Sequence, residues 1–240
     1  MKLYVYCLVE KIDALLAPVS GVSGAPVDLI RLDDFSFLVT QLEGDSAPPV
    51  TRDNVLAHDA VVRSVLNETT PLPFRFGTVQ TESHLRSYIR THRTALEAKL
   101  AVVRGCVEMS VKIISNLDES DLETTSERTE EGPGGRFLNE KRREILGGER
   151  RAKEAREVAA WLKEQVGSFV RQEAISLCPT EKLIVAAAHL VVREQVTKYR
   201  GGLAIARNAR PELHFLVSGP WPPYTFSNIE LEFKTRFGVS

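Results

Sequence analysis

The hydrophobic pattern of the chain opens with a run from Leu3 to Val9 that is rich in β-branched and aromatic residues. It is too short for a buried helix and predicts a central strand. Two alternating runs, Leu29 to Leu32 and Phe35 to Leu42, flank Asp33-Asp34 and predict a hairpin, after a loop from Pro18 to Pro26. Thr51 is placed to cap a helix whose apolar stripe is Val55, Val62, Val65 and Leu66, and Thr69 to Pro73 stops it. Phe74 to Val79 reads as a short strand. Thr81, with Glu82 in the first turn, starts a helix to about Arg104 that carries Leu85, Ile89, His92, Leu96, Leu100 and Val103 on one stripe. Val107 to Ile114 alternates and reads as a strand that closes this first unit.

The pattern changes after that strand. Asp118 to Gly135 is polar, holds seven acidic residues and ends in Gly132-Pro133-Gly134-Gly135, the composition of an exposed linker. Leu138, Ile145, Ala152, Ala159 and Val166 then recur every seven residues, with Ala155, Leu162 and Phe169 interleaved. This predicts one long helix, in which Gly147-Gly148 reads as a bend, a break or a point of close packing. Glu173 to Cys178 and Leu183 to Val192 read as strands. A helix from about Arg193 to Asn208 carries Val196, Tyr199, Leu203 and Ala206, and Glu212 to Ser218 reads as another strand. Ile229 to Phe233 alternates apolar and acidic residues and predicts a last one. The expected fold is α+β in two domains, each a mixed or antiparallel sheet with helices packed on it, in a modified ferredoxin-like arrangement whose second domain is begun by the long helix. The expected boundaries are 1–116, a linker 117–135, and 136–240 with a proline-aromatic tail.

Composition narrows the function classes. A hydrophobic fraction of 43% and a charged fraction of 26% describe an ordinary globular chain. Thirty-one basic residues against thirty-two acidic give a net charge of −1, without the positive field that nonspecific phosphate binding needs, so nucleic acid is not an expected partner. Cys7, Cys106 and Cys178 are odd in number and far apart, which reads as reduced thiols in the cytoplasm. Met1 to Glu10 lacks the layout of a secretory signal, and no apolar run reaches the roughly 20 residues that span a bilayer, so no lipid membrane is expected.

Candidate chemistry is sparse. His58-Asp59 has the adjacency used by metal-dependent phosphohydrolases, but such sites need further ligands, and His84, His92, His189 and His214 form no i,i+4 pair. A small metal hydrolase using His58 and Asp59 is the rival from the enzyme class, and a module binding a small ligand between ferredoxin-like units is a third reading. His92, on an apolar stripe, reads as a core histidine. Cys106 has no supporting nucleophile motif, and the glycines at 132, 134 and 135 lack the Lys-Ser/Thr of a phosphate loop. No catalytic residue, metal or cofactor is therefore expected. Two segments stand out. In Pro71 to Val79, Arg75 lies between Phe74 and Phe76, which on a strand share a face with Arg75 opposite. Ser218 to Phe226 holds three prolines and three aromatics, a stiff segment able to display the rings of Trp221 and Tyr224.

These two segments, with Tyr4-Val-Tyr-Cys-Leu-Val9 and Gly132-Pro-Gly-Gly-Arg-Phe-Leu138, resemble the GvpF/GvpL gas vesicle family over nearly the whole chain. The most specific elements are Pro73-Phe-Arg-Phe-Gly-Thr-Val79 and Gly219-Pro-Trp-Pro-Pro-Tyr224, in matching order and spacing. Phe74 stands where the family usually has leucine or methionine, Gly135 precedes Arg136, and the tail beyond Phe226 is longer than in some members. The resemblance implies a non-enzymatic minor component of gas vesicles, cytoplasmic and vesicle-associated, that acts in nucleation or assembly. It implies the hydrophobic shell protein GvpA and other accessory Gvp proteins as partners. From the residues themselves, Phe74, Arg75, Phe76, Trp221 and Tyr224 are the candidate partner-binding residues, with Arg75 readable as an edge ion pair or as an anchor for a partner, and the proline-aromatic segment as a staple of the C-terminus or as a contact surface.

Overall fold

The run from Leu3 to Val9 becomes the middle of β1 (Lys2–Glu10), and each of its residues is fully buried. A strand covered on both faces needs apolar side chains at every position, which explains a continuous run where a half-exposed strand would alternate. The structure is a computed structural model and describes residues 1–14, 19–44, 46–66, 68–115, 133–178, 180 and 182–227, with the side chains of 133–146 outside the description. It forms two compact units: Met1–Glu108 together with the chain from Pro220 onward, and Met109–Gly219.

In the first unit β1 pairs antiparallel with β3 (Phe35–Leu42), which pairs antiparallel with β2 (Asp28–Leu32). On its other side β1 takes two short antiparallel strands, β4 (Leu72–Pro73) and β5 (Val79–Gln80). The hairpin turns at Asp33, which adopts a left-handed φ of 55° that aspartate tolerates better than most residues. The β1–β3 register shifts between Val5 and Cys7, a bulge that brings Tyr4, Tyr6, Cys7 and Val9 into one core with Leu38 and with Val61, Val62 and Val65.

Helix α1 (Arg52–Ser64) starts as expected, with Thr51 Oγ1 accepting from Asn54 N at 3.2 Å. Its buried face differs from the expected stripe. Val55 is 42% exposed, while Asn54 and His58 are buried. Asn54 is held inward because its Oδ1 accepts from Ser23 N at 2.7 Å and its Nδ2 donates to Pro49 O at 3.0 Å. Helix α2 (Glu82–Val103), capped by Thr81, buries Leu85, Ile89, Leu96, Leu100 and Val103. His92 is not a core histidine. It is exposed and leans on Tyr88, with ring centroids 4.5 Å apart.

The second unit is built on β6 (Cys106–Ser115), α3 (Pro133–Val166), β7 (Val170–Leu177), β8 (Leu183–Val192), α4 (Val196–Ala209) and β9 (Leu213–Trp221). The sheet order is β7-β8-β6-β9, which is the β-α-β-β-α-β ferredoxin-like topology with β6 as its first strand. Sequence reading gave β6 to the first unit. Its odd residues Met109, Val111 and Ile113 instead enter a core with Ala155, Val158 and Leu162 of α3 and with Ile184 and Val185 of β8. α3 runs unbroken through Gly147-Gly148. At Gly201-Gly202, α4 comes close to the end of α3, because a Cβ on Gly202 would lie 3.2 Å from the Gln165 carbonyl oxygen. The expected linker 117–135 lies outside the described residues up to 132, and 133–135 open α3. The predicted strand Ile229 to Phe233 also lies outside them, as do the side chains of Leu138 and Ile145.

Each unit buries one histidine against a tyrosine. His58 Nδ1 lies 2.9 Å from Tyr4 Oη, and His189 Nδ1 lies 2.7 Å from Tyr199 Oη. Burial, the largest cause, pushes each down from 6.5 to about 4. Both rings are therefore neutral at pH 7, whereas the unfolded chain takes up protons below about pH 6.5.

Two predictions follow from this packing. A methyl group on Gly21 would run into Tyr6 Oη and Thr40 Oγ1, which themselves hydrogen-bond at 2.8 Å. Gly21→Ala is expected to lower stability by about 1–3 kcal/mol, the usual penalty of overpacking, measured by urea unfolding. The buried histidines have depressed folded pKa values, so the stability they permit is complete above pH 6.5 and is lost as the pH falls toward 4. The loss should approach about 1.4 kcal/mol per pH unit for each ring. Unfolding of wild type and His189→Gln between pH 7 and 4 should show a shallower slope in the variant.

Candidate partner-binding site

The segment Pro73 to Val79 is not a continuous strand. β4 ends at Pro73, Thr78 N and Oγ1 both donate to Arg75 O at 3.2 and 2.7 Å, and Gly77 takes a φ of 87°. A left-handed φ at Gly77 costs a residue without Cβ little, and it reverses the chain between β4 and β5. The turn separates the two phenylalanines. Phe74 is buried and stacks on Phe37 at 6.2 Å, whereas Phe76 meets Tyr4 at 5.8 Å and His58 at 5.9 Å. Phe37 and Leu38 are neighbours on β3 and so face opposite sides of the sheet, and Phe76 belongs to the core that contains Leu38. The expectation of a shared face is thus overturned. Arg75 is exposed on the turn.

The proline-aromatic segment begins inside β9 and continues into the short helix α5 (Tyr224–Ser227). It was expected in the second domain but belongs to the first unit. Glu108 explains its anchoring: its two carboxylate oxygens accept from Thr225 N at 2.8 Å and Thr225 Oγ1 at 2.7 Å. Burial raises the Glu108 carboxyl pKa, and the two bonds from Thr225 oppose that rise. Lys99 Nζ donates to Ser227 O at 3.1 Å.

Both segments meet on α1, although more than a hundred residues separate them. Phe76 packs on His58. Tyr224 Oη donates to Asp59 Oδ1 at 3.3 Å, and the guanidinium of Arg63 lies 3.9 Å from the Trp221 ring centroid. Arg63 Nε also donates to Asp59 Oδ2 at 2.5 Å, so Trp221, Arg63, Asp59 and Tyr224 form one chain of contacts along a helix face. Burial, and then the Asp59 carboxylate, raise the Tyr224 phenol pKa. Sequence reasoning missed Arg63 and Glu108 altogether. The only signal for Arg63 was its i+4 spacing from Asp59, which is too common on helices to single it out.

The same contacts bear on the metal-hydrolase reading. His58 gives Nδ1 to Tyr4, its Nε2 is buried without a hydrogen-bond partner, and both Asp59 oxygens are engaged. Among the described residues, no group of three or more His, Cys, Asp or Glu could hold a metal ion. The arrangement is a packed aromatic cluster with a polar seam. Beside it α1 leaves Val55 and Leu56 42% and 54% exposed, and Tyr224 is 38% exposed. The expected contact residues thus divide: Phe74 is interior, Phe76 and Trp221 are half-buried, and Arg75 and Tyr224 reach the surface.

Known proteins resemble this chain over nearly its whole length. The family model for gas vesicle synthesis protein GvpL/GvpF matches residues 2–228. Gas vesicle protein F1 of Halobacterium salinarum is 26% identical, with 98% of this chain and 97% of that protein covered. Gas vesicle protein L of a Streptomyces species is also 26% identical, covering 95% and 94%. The crystal structure of gas vesicle protein GvpF from Microcystis aeruginosa superposes with a TM-score of 0.77 at 21% identity, over 95% of this chain and 99% of that one. The GvpF structure from Anabaena gives 0.78 at 19%, over 95% and 97%. At these identities the structures speak for the α+β fold alone, and it is the match of the family model over residues 2–228 that assigns the chain to the GvpL/GvpF family of gas vesicle proteins.

Proposed function

We propose that the chain is a non-enzymatic accessory protein of gas vesicle assembly, which binds the shell protein GvpA and other accessory Gvp proteins during nucleation, in the cytoplasm and at the growing vesicle. Its membership of the family supports the gas vesicle role. The observation that most favours a binding role is the convergence of both motif segments on α1, beside apolar side chains that the fold leaves in water.

The physical logic starts from the partner. A small hydrophobic shell subunit exposes apolar surface before it assembles, and such surface aggregates unless covered. Val55 and Leu56 offer matching apolar area, Tyr224 adds a ring with a polar tip, and Arg75 adds a cation able to hold a carboxylate or carbonyl of the partner. Phe74, Phe76 and Trp221 then act from beneath, holding the turn and the tail in place. No helix among the described residues is long and apolar enough to cross a membrane, so contact with a hydrophobic shell would be made by a face.

The test is co-purification of the full-length chain with GvpA. Leu56→Glu combined with Val55→Glu is expected to weaken capture by at least about tenfold, as loss of a central apolar contact does at other interfaces, and Arg75→Glu and Tyr224→Ala by less. Val55 and Leu56 are exposed, so the melting temperature of the double variant should stay near that of wild type, whereas Tyr224→Ala also loses the bond to Asp59 and should melt lower. Undiminished capture by the double variant would overturn the placement on α1.

A further inference from the structure

The second unit carries a groove of about 750 Å³ that no part of the shell-protein reading uses. It follows β9, which forms one edge of the β7-β8-β6-β9 sheet, and β6 and α4 complete its walls. Phe215, Leu216 and Val217 of β9 supply apolar lining, with Leu216 and Val217 47% and 43% exposed. Every charged side chain that lines the groove is basic: Lys112 from β6 and Arg200 and Arg207 from α4.

Three like charges around one groove repel each other, in a chain whose total charge is only −1. Arg200 donates to the Gly219 carbonyl at 2.8 Å, and among the described residues neither Lys112 nor Arg207 forms an ion pair. An edge strand adds a row of backbone donors and acceptors that invites another strand. Native edges are often guarded by charge, but guarding needs no concave lining with an apolar wall.

We propose that this groove binds an extended segment of a partner protein that carries both apolar and acidic residues on each of its two faces. The segment adds to β9 as a further strand, its main chain pairing with the β9 edge. Successive side chains of a strand point to opposite faces. Side chains on the α4 side therefore meet Phe215 and Val217 together with Arg200 and Arg207, while those on the opposite side meet Leu216 and Lys112, so each face offers an apolar contact and a cation. Charge complementarity chooses this occupant over a neutral or basic strand, since a basic segment would add cations to the three already present. The surface is independent of α1, and the two readings stand or fall separately.

The experiment uses the full-length chain and a short fluorescein-labelled peptide of repeated Glu-Glu-Ile-Ile, which as a strand puts both residue types on each face, followed by fluorescence anisotropy. The expected result is saturable binding that weakens as salt is raised. Lys112→Glu with Arg207→Glu should weaken it by about tenfold or more, and Arg156→Glu, on the exposed side of α3, should leave it unchanged. Lys112→Gln with Arg207→Gln, checked by thermal melting, gives a milder loss if the charge-reversed protein fails to fold. Equal affinity for a lysine-isoleucine peptide, or no effect of either double substitution, would overturn the proposal. So would equally sensitive binding of a single-stranded oligonucleotide, which would make the groove a general anion site. A dimer of the full chain that dissociates on Lys112→Glu with Arg207→Glu would also overturn it, by showing that a second copy fills the groove. Loss of GvpA capture in the α1 variants with peptide binding intact would leave this proposal standing.

Discussion

The bulge in β1 is the constraint on which the first unit turns. Without it, strict alternation would send Tyr4 and Tyr6 to one face and Cys7 and Val9 to the other. The shifted register instead keeps all four in the core beneath α1. Tyr6 then serves three distant parts of the chain: its hydroxyl pairs with Thr40 of β3 and accepts from Val22 N, and its carbonyl accepts from Phe74 N. A single residue thereby fixes the loop before β2, the central pair of strands and the entry to the Gly77 turn. Gly21 is confined to a residue without Cβ by the same hydroxyl.

The second constraint is that β6 and β9 each serve two units. The division falls between Glu108 and Met109 in one strand and between Gly219 and Pro220 in the other. The start of β6 presents Glu108 to the first unit, while Met109, Val111 and Ile113 enter the second core. The end of β9 leads Trp221 and Tyr224 back to α1. A cut near residue 116 would take the closing segment away from the first unit and the first strand away from the second sheet. The two units are compact but neither is one continuous stretch of sequence, so partner binding is best dissected by point substitution in the whole chain.

Much of the fold was legible because local patterns decide local structure. Thr51 and Thr81 cap helices where the sequence placed them, Asp33-Asp34 turns the hairpin, and Tyr199, Leu203 and Ala206 bury the predicted face of α4. The misses were decided at long range. Val55 fits a helical stripe as well as Asn54 does, and only the bonds of Asn54 to Ser23 and Pro49 rotate the helix to bury the polar residue. His92 had the spacing of a core residue but lies where no sheet covers it. The strand β6 alternates the same way whichever core receives it, so periodicity could not assign it to a unit. Gly77 was the visible hint that Phe74 and Phe76 were separated by a turn, although a glycine alone does not say which way the chain reverses.

A motif that identifies a family need not be the part that touches a partner. Phe74 is 2% exposed and cannot reach another protein without unfolding, and Phe76 is occupied with Tyr4 and His58. What these rings do is hold α1 and the returning tail in one arrangement, so that small apolar side chains nearby are presented at fixed spacing. The groove along β9 offers the opposite physics. Its cations are exposed and its wall is a strand edge, so the recognition proposed there rests on charge and main-chain pairing, whereas that proposed at α1 rests on apolar area. The two proposed surfaces differ in chemistry and share no residue, so a substitution that disables one leaves the contacts of the other untouched, and the proposed assembly role requires no competition between partners for the same side chains.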